Sequence, residues 1–223
     1  GVSNLVALLE DSGSVNQECW YFPTGGAWTQ ITSTNFPPNQ TPSLRIYGEP
    51  VHLDGYMFVM TVDGKLWNSD LNSLANWTAT SYLETGARPD QAIGIAEHLG
   101  TIAAFGLNSI RFYRNAGNAT GSVLLEIEGR SVEIGAKSIS SGFGDKTILK
   151  YNDDIYFISG DIVASAVLPM GIYRIRNFQV EKISNQFLDL LASASNAAVT
   201  NIVGNISMGG MNHILFQGTA ASN

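Results

Sequence analysis

The sequence predicts an all-β, β-propeller-like array of antiparallel blades, some incomplete, and three observations carry that prediction. The first is a recurring module: a short apolar strand, a Gly, Asn or Asp turn, then a second strand ending in an aromatic or basic residue. It reads Gly55 to Val62, turn Asp63-Gly64, then Lys65-Leu66-Trp67. It returns at Gly100 to Gly106 with Ile110 to Arg114, and at Asp154 to Gly160 with Gly171 to Ile175. Weaker copies stand at Leu5 to Leu9 and at His213 to Phe216. The second observation is the spacing, since the repeats start about 45 to 60 residues apart, the period of propeller blades. The third is composition: 14% charged residues, 10% aromatics and 23 glycines suit many short strands joined by tight turns.

Taken in order, Leu5 to Ile31 reads as a meander. A strand is followed by the polar turn Asp11 to Ser14, a strand from Cys19 to Phe22, then Gly25-Gly26 and a third strand around Trp28 to Ile31. Phe36 to Pro42 is expected to be a stiff extended connector, because consecutive prolines fix φ and remove ladder donors. Pro50 to Trp77 is the clearest unit, with Asp63-Gly64 predicted as a type I′ hairpin turn. After it, Asp70 to Trp77 is similar to the Asp-box turn of several propeller families, with Asn72 and Trp77 in the Asp and Trp places and the Ser/Thr and Gly absent. There Trp77 is expected to cover the apolar end of the hairpin. Ser184 to Ala194 departs from the β pattern: Phe187, Leu190, Leu191 and Ala194 fall at i, i+3, i+4 and i+7, which predicts one short helix near residues 185–195. The whole is expected to be a single domain over 1–223, with approximate blades 1–35, 48–82, 92–130, 138–184 and an incomplete 200–223.

Bulk properties exclude several classes. A hydrophobic share of 44% argues against disorder, and the net charge of -7 against a surface that works by neutralising phosphates. That charge leaves room for a smooth passage through which DNA slides without sticking. Cys19 is the only cysteine, so no internal disulfide exists; it reads as a small buried residue beside Trp20. No apolar run reaches the ~18 residues needed to span a bilayer. The chain begins with Gly1 and ends shortly after a strand with no visible partner, from which a longer parent protein is expected.

Three segments in fixed order then carry a resemblance. They are Phe105-Gly106 with Ser109 and Phe112 to Asn118; Ile127-Glu128-Gly129 with Glu133 to Ala136; and Tyr156 to Asp161 with Gly171 to Arg174 and Val180 to Ser184. Each alone is only a strand and a turn, but the succession resembles the packaged-DNA stabilisation proteins of short-tailed phages, also called tail nozzle or head-completion proteins. The similarity extends more weakly back to Gly55 and forward to His213. It implies a virion structural protein, not an enzyme, forming a homo-oligomeric, hexameric ring below the portal and its adaptor. It implies retention of packaged DNA and a part in the ejection conduit. Partners would be the portal and adaptor proteins, the tail needle or tail fibres, and passing double-stranded DNA without specific binding. No membrane partner is expected. The protein would be made in the host cytoplasm and reside at the tail or head-tail junction.

The alternative is a carbohydrate-binding or glycan-hydrolysing propeller of sialidase type, which needs an arginine cluster, a Tyr/Glu pair and an acid/base Asp. Arg111, Arg114, Arg174 and Arg176 invite that reading, yet Arg174 and Arg176 alternate with Tyr173 and Ile175 and are expected on one exposed face. Glu126 and Glu128, at i and i+2, are expected to share a strand's solvent face. His52, His98 and His213 stand alone, without metal-ligand spacing. Asp153-Asp154 reads as a hairpin turn rather than a calcium loop. Asn76-Trp77-Thr78 and Asn118-Ala119-Thr120 match the glycosylation sequon, unused in a virion protein made in a bacterium. No catalytic, cofactor-binding or metal-binding residue is expected, and no cofactor.

Overall fold

In a computed structural model the described residues are 4–10, 17–85, 90–137, 147–159, 162–163, 166–167, 171–185, 199–208 and 211–218. The chain folds as an all-β, propeller-like arrangement. The first sheet has the order β1 (Leu5–Glu10), β2 (Gln17–Phe22), β3 (Thr29–Gln30), and it is followed by a helical turn, α1 (Pro37–Gln40). The second runs β4 (Ile46–Leu53), β5 (Tyr56–Thr61), β6 (Lys65–Ser69), β7 (Trp77–Glu84). The third consists of β8 (Ala92–His98), β9 (Thr101–Gly106), β10 (Ile110–Asn115) and β11 (Leu124–Glu126). The fourth takes β12 (Ile148–Tyr151) and β13 (Asp154–Ser159), sets aside the hairpin β14 (Ile162–Val163) and β15 (Ala166–Val167), and finishes with β16 (Gly171–Arg176) and β17 (Gln179–Lys182). A hairpin of β18 (Val199–Met208) and β19 (Met211–Gly218) follows. All the pairings of these strands are antiparallel.

The sheets stack face to face, and the side-chain period of two explains how. On β5, Met57 and Val59 join Cys19, Ile31, Ile46 and Trp67 in the layer between the first and second sheets. The alternate residues Phe58 and Met60 point the other way, joining Ile95, Ile102, Ala104 and Tyr113 between the second and third. On β9 the same division recurs: Ala103 and Phe105 pack with Phe112, Ile155, Phe157 and Tyr173 between the third and fourth. Phe105 meets Phe157 edge-on with ring centroids 5.4 Å apart, and Phe157 stacks on Tyr173 at 5.6 Å. Each fully buried Phe in these layers contributes about 2 kcal/mol by leaving water.

The first strands of successive sheets converge: β4 lies against β8, β8 against β12, and β12 against β18. This is the inner-strand arrangement of a propeller. Both β4 and β8 depart from regular register where they meet, between Tyr47 and Val51 and between Ala92 and Gly94. Gly48 has φ 74°, and a Cβ there would stand 2.9 Å from the Gly94 Cα. The backbones touch because no side chain intervenes.

Three local expectations are corrected. Phe36 to Pro42 is not extended throughout, because Pro37–Gln40 forms a helical turn with Pro in its first positions. Proline costs nothing there, since its φ is helical and the first N–H groups of a helix have no internal partner. The Asn39 and Gln40 amides both donate to the Phe36 carbonyl, and the Phe36 ring, fully buried, meets Trp77 edge-on at 5.0 Å. Asp63-Gly64 is not a type I′ turn. Only Gly64 has positive φ, the loop spans Val62 to Gly64, and the Gly64 amide donates to the Thr61 carbonyl at 2.9 Å. That is the longer hairpin loop closed by a left-handed glycine. Among the described residues, the two-residue turns with both φ positive are Asp54-Gly55, Leu99-Gly100 and Asn177-Phe178. Finally, β11 ends at Glu126, which leaves Glu128 in a turn instead of on a shared strand face. The helix expected near 185–195 lies outside the described residues from Gln186 onward, as does the turn Asp11 to Ser14.

Gly48→Ala is expected to destabilise the fold by about 1 to 3 kcal/mol more than Gly100→Ala. Both glycines have φ 74°, but a Cβ at Gly100 meets nothing within 4 Å, so the difference isolates the contact between β4 and β8. Denaturant titration of the two variants measures it.

Candidate functional site

The arginines that invite a carboxylate-binding reading occupy separate sheets. Arg111 on β10 donates from Nη1 to Glu126 Oε1 of β11 at 2.9 Å. Arg174 and Arg176 lie on β16, where their neighbours Tyr173 and Ile175 face the core. Register sets Arg174 opposite Glu181 of β17, and the two form an ion pair; Arg176 reaches Asp154 of β13, with Nη2 to Oδ2 at 2.6 Å. Arg174 also stands 3.8 Å from Asp154, so the fourth sheet carries a ladder of alternating charge across three strands. Lys150 of β12 pairs with Glu97 of β8, tying two inner strands, and Lys65 pairs with Asp63 at 3.0 Å. Arg114 is exposed on β10.

The electrostatics follow from these partners. A hydrogen bond from Arg176 outweighs burial and holds the Asp154 carboxyl below its ordinary range. Burial pushes Asp63 upward, but bonds from Thr61 and Lys65 together win and lower it. Burial alone pushes the Cys19 thiol up to about 12, which leaves no thiolate for nucleophilic chemistry. Tyr113 is raised by burial and donates its hydroxyl to the Thr85 carbonyl at 3.0 Å.

The histidines are apart. His52 is exposed on β4, His98 is fully buried at the end of β8, and His213 lies on β19. Asp153 is exposed in the turn before β13, while its neighbour Asp154 serves Arg174 and Arg176. Asn76 and Asn118 of the two sequons are exposed, and Asn118 donates to the Ser122 carbonyl. Among the described residues no three His, Cys, Asp or Glu side chains gather as a metal site. Within the Asp-box-like segment, Trp77 is buried between the first two sheets and donates from Nε1 to the Leu74 carbonyl at 3.0 Å.

Sequence reasoning missed the contacts that join sheets. The buried Gln17 amide both donates to and accepts from the Ile46 backbone, at 3.1 and 2.6 Å, standing in for a peptide group between β2 and β4. Phe178 and Arg130 fasten the fourth sheet to the third, with the guanidinium 4.3 Å from the ring centroid. No motif announces either contact, because each depends on how distant strands meet.

Stacked antiparallel sheets with converging inner strands, with several basic side chains spent on carboxylates within and between sheets, define a propeller-like structural scaffold. The chain belongs to the phage stabilisation family described as bacteriophage P22 Gp10, β-propeller, whose model matches residues 14–214. The match contains the segments from Phe105 to Ser184 on which the resemblance rests and reaches well beyond them on both sides. No curated protein matches the chain.

Acid should weaken the Asp154 ladder in a defined window. A carboxyl held low when folded contributes stability that is complete above its unfolded value of about 3.9 and is lost as pH falls through the lower folded value. Asp154→Asn is expected to flatten that part of the stability profile, as measured by thermal unfolding between neutral and strongly acidic pH.

Proposed function

We propose that this protein is a non-enzymatic component of the phage tail nozzle or head-tail junction, which retains packaged DNA and forms part of the conduit through which it leaves. Family membership over residues 14–214 carries the proposal. A closed ring of identical copies, a hexamer attached to the portal's adaptor and contacting the tail needle or fibres, is the form in which the subunit would act. Head-to-tail contacts close into a ring when the rotation between neighbours is fixed.

The electrostatics support a passive wall. Phosphate binding requires clustered cations, and each neutralised phosphate makes affinity fall with salt. Here Arg111, Arg174, Arg176, Lys150 and Lys65 already have carboxylate partners, and the net charge is -7. Duplex DNA passing such a surface finds little to hold it. No helix among the described residues is long and apolar enough to cross a membrane.

Virions assembled without this protein are expected to lose packaged DNA and to lack the distal tail, seen by electron microscopy and by genome content per particle. Particles that keep both would overturn the assignment. The purified protein is expected to leave duplex DNA unbound at physiological salt in a mobility-shift assay. Replacing Glu126 and Glu181 by Gln and Asp154 by Asn should create salt-sensitive binding, with a slope of about -0.9 per phosphate engaged. Tight, salt-sensitive binding by the unmodified protein would remove the passive-wall mechanism.

A further inference from the structure

We infer that His98 is an acid-released latch that holds the outer turn of the fourth sheet against the third. Its imidazole is fully buried at the end of β8, and Nε2 accepts a hydrogen bond from the Phe178 amide at 3.2 Å. Nε2 can accept only in the neutral ring, so the proton sits on Nδ1, which faces the Asp153 backbone without a well-formed hydrogen bond. Phe178 belongs to the Asn177-Phe178 turn, with φ of 49° and 63°. A bulky residue in the left-handed region is strained and persists only where its surroundings hold it.

The surroundings here come from both sheets. The Phe178 ring meets His98 edge-on at 4.9 Å and Phe112 of β10 at 5.2 Å, and Arg130, from the segment after β11, covers it at 4.3 Å. Protonation of His98 turns Nε2 from acceptor to donor, directed at another N–H. The hydrogen bond from the Phe178 amide is lost, and a positive charge appears beside a ring that already packs against the Arg130 guanidinium.

Charged groups around the imidazole act in both directions. Asp153 and Asp154, at the turn between β12 and β13, favour the imidazolium, but Asp154 is engaged by Arg176 of β16. On its own strand, Glu97 is engaged by Lys150 of β12. Thr101 of β9 donates its hydroxyl to the His98 carbonyl at 2.6 Å, and β10 contributes the apolar Phe112. Burial prevails and holds the imidazole below its ordinary 6.5. The latch is therefore closed above that value and released as pH falls through the lower folded value.

The test combines NMR titration of the His98 imidazole with amide exchange at Phe178, corrected for intrinsic rates, between about pH 7.5 and about pH 5. Protection at Phe178 is expected to fall as pH drops below the free-imidazole value of about 6.5, by at most about tenfold per pH unit, and to level off below the imidazole's own titration point in the folded protein, while the amide of Phe105 in β9 keeps its protection. His98→Gln, whose amide oxygen can accept the same bond without titrating, should retain protection at both ends. Unchanged protection between about pH 7.5 and the imidazole's titration point would overturn the inference, and so would a pH-dependent loss of the same size in His98→Gln. If that variant does not fold, the titration of the unmodified protein decides alone.

Discussion

Burial of both faces of the middle sheets is the constraint on which the rest of the structure depends. A sheet whose strands are apolar on alternate sides has no face to offer water, so it is stable only between two others. Phe58 and Met60 need the third sheet as much as Met57 and Val59 need the first. The same holds for Ile102 and Ala104 against Ala103 and Phe105. No sheet here is an independent unit; each supplies half a core to its neighbours, as in other repeat architectures, where stability lies in the interfaces.

That requirement fixes what happens at the inner edge. Sheets stacked at the usual face-to-face spacing of about 10 Å must splay outward if their inner strands are to touch. Touching requires the side chains to withdraw, which Gly48 and Gly94 achieve beside the irregularities in β4 and β8. Farther out, where the gap widens, large rings fill it: Trp67 against Tyr82, Phe36 against Trp77, Phe157 against Tyr173. The one-turn helix α1 belongs to this filling, since its start sets Phe36 into the layer between the first two sheets.

The fold was legible because this arrangement leaves a direct trace in the chain. Tyr56 to Thr61 and Thr101 to Gly106 read as unbroken apolar runs since both of their faces are covered. Gly171 to Arg176 alternates because its outer face carries Arg174 and Arg176. Turn residues were read less well. Asp63-Gly64 and Asp54-Gly55 are identical dipeptides, and only the distance between the strands they join decides that the second forms the tight turn. Asn177-Phe178 adopts that same turn with no glycine at all, because His98, Phe112 and Arg130, far off in sequence, hold the Phe178 side chain and amide in place. The arginines were read correctly as alternating with core residues, whereas their partners depended on register: Glu181 opposite Arg174 is a cross-strand relation that linear spacing does not display.

Register also decides the character of the surface. Cross-strand partners of opposite sign discharge each other locally, so Arg111, Arg174 and Arg176 add little positive field to a chain whose net charge is -7. Exposed pairs such as Arg176 with Asp154 add little to stability, because solvent screens them and their side chains lose freedom. Their consequence lies in what the guanidinium can no longer do. An arginine already forked onto a carboxylate meets a passing phosphate only by giving up that partner, and the carboxylate left behind repels the same phosphate. A surface built this way resists polyanions twice over, through its net charge and through the cost of freeing each cation. For a structural protein in a particle filled with DNA, that resistance follows from strand pairing itself and requires no dedicated site.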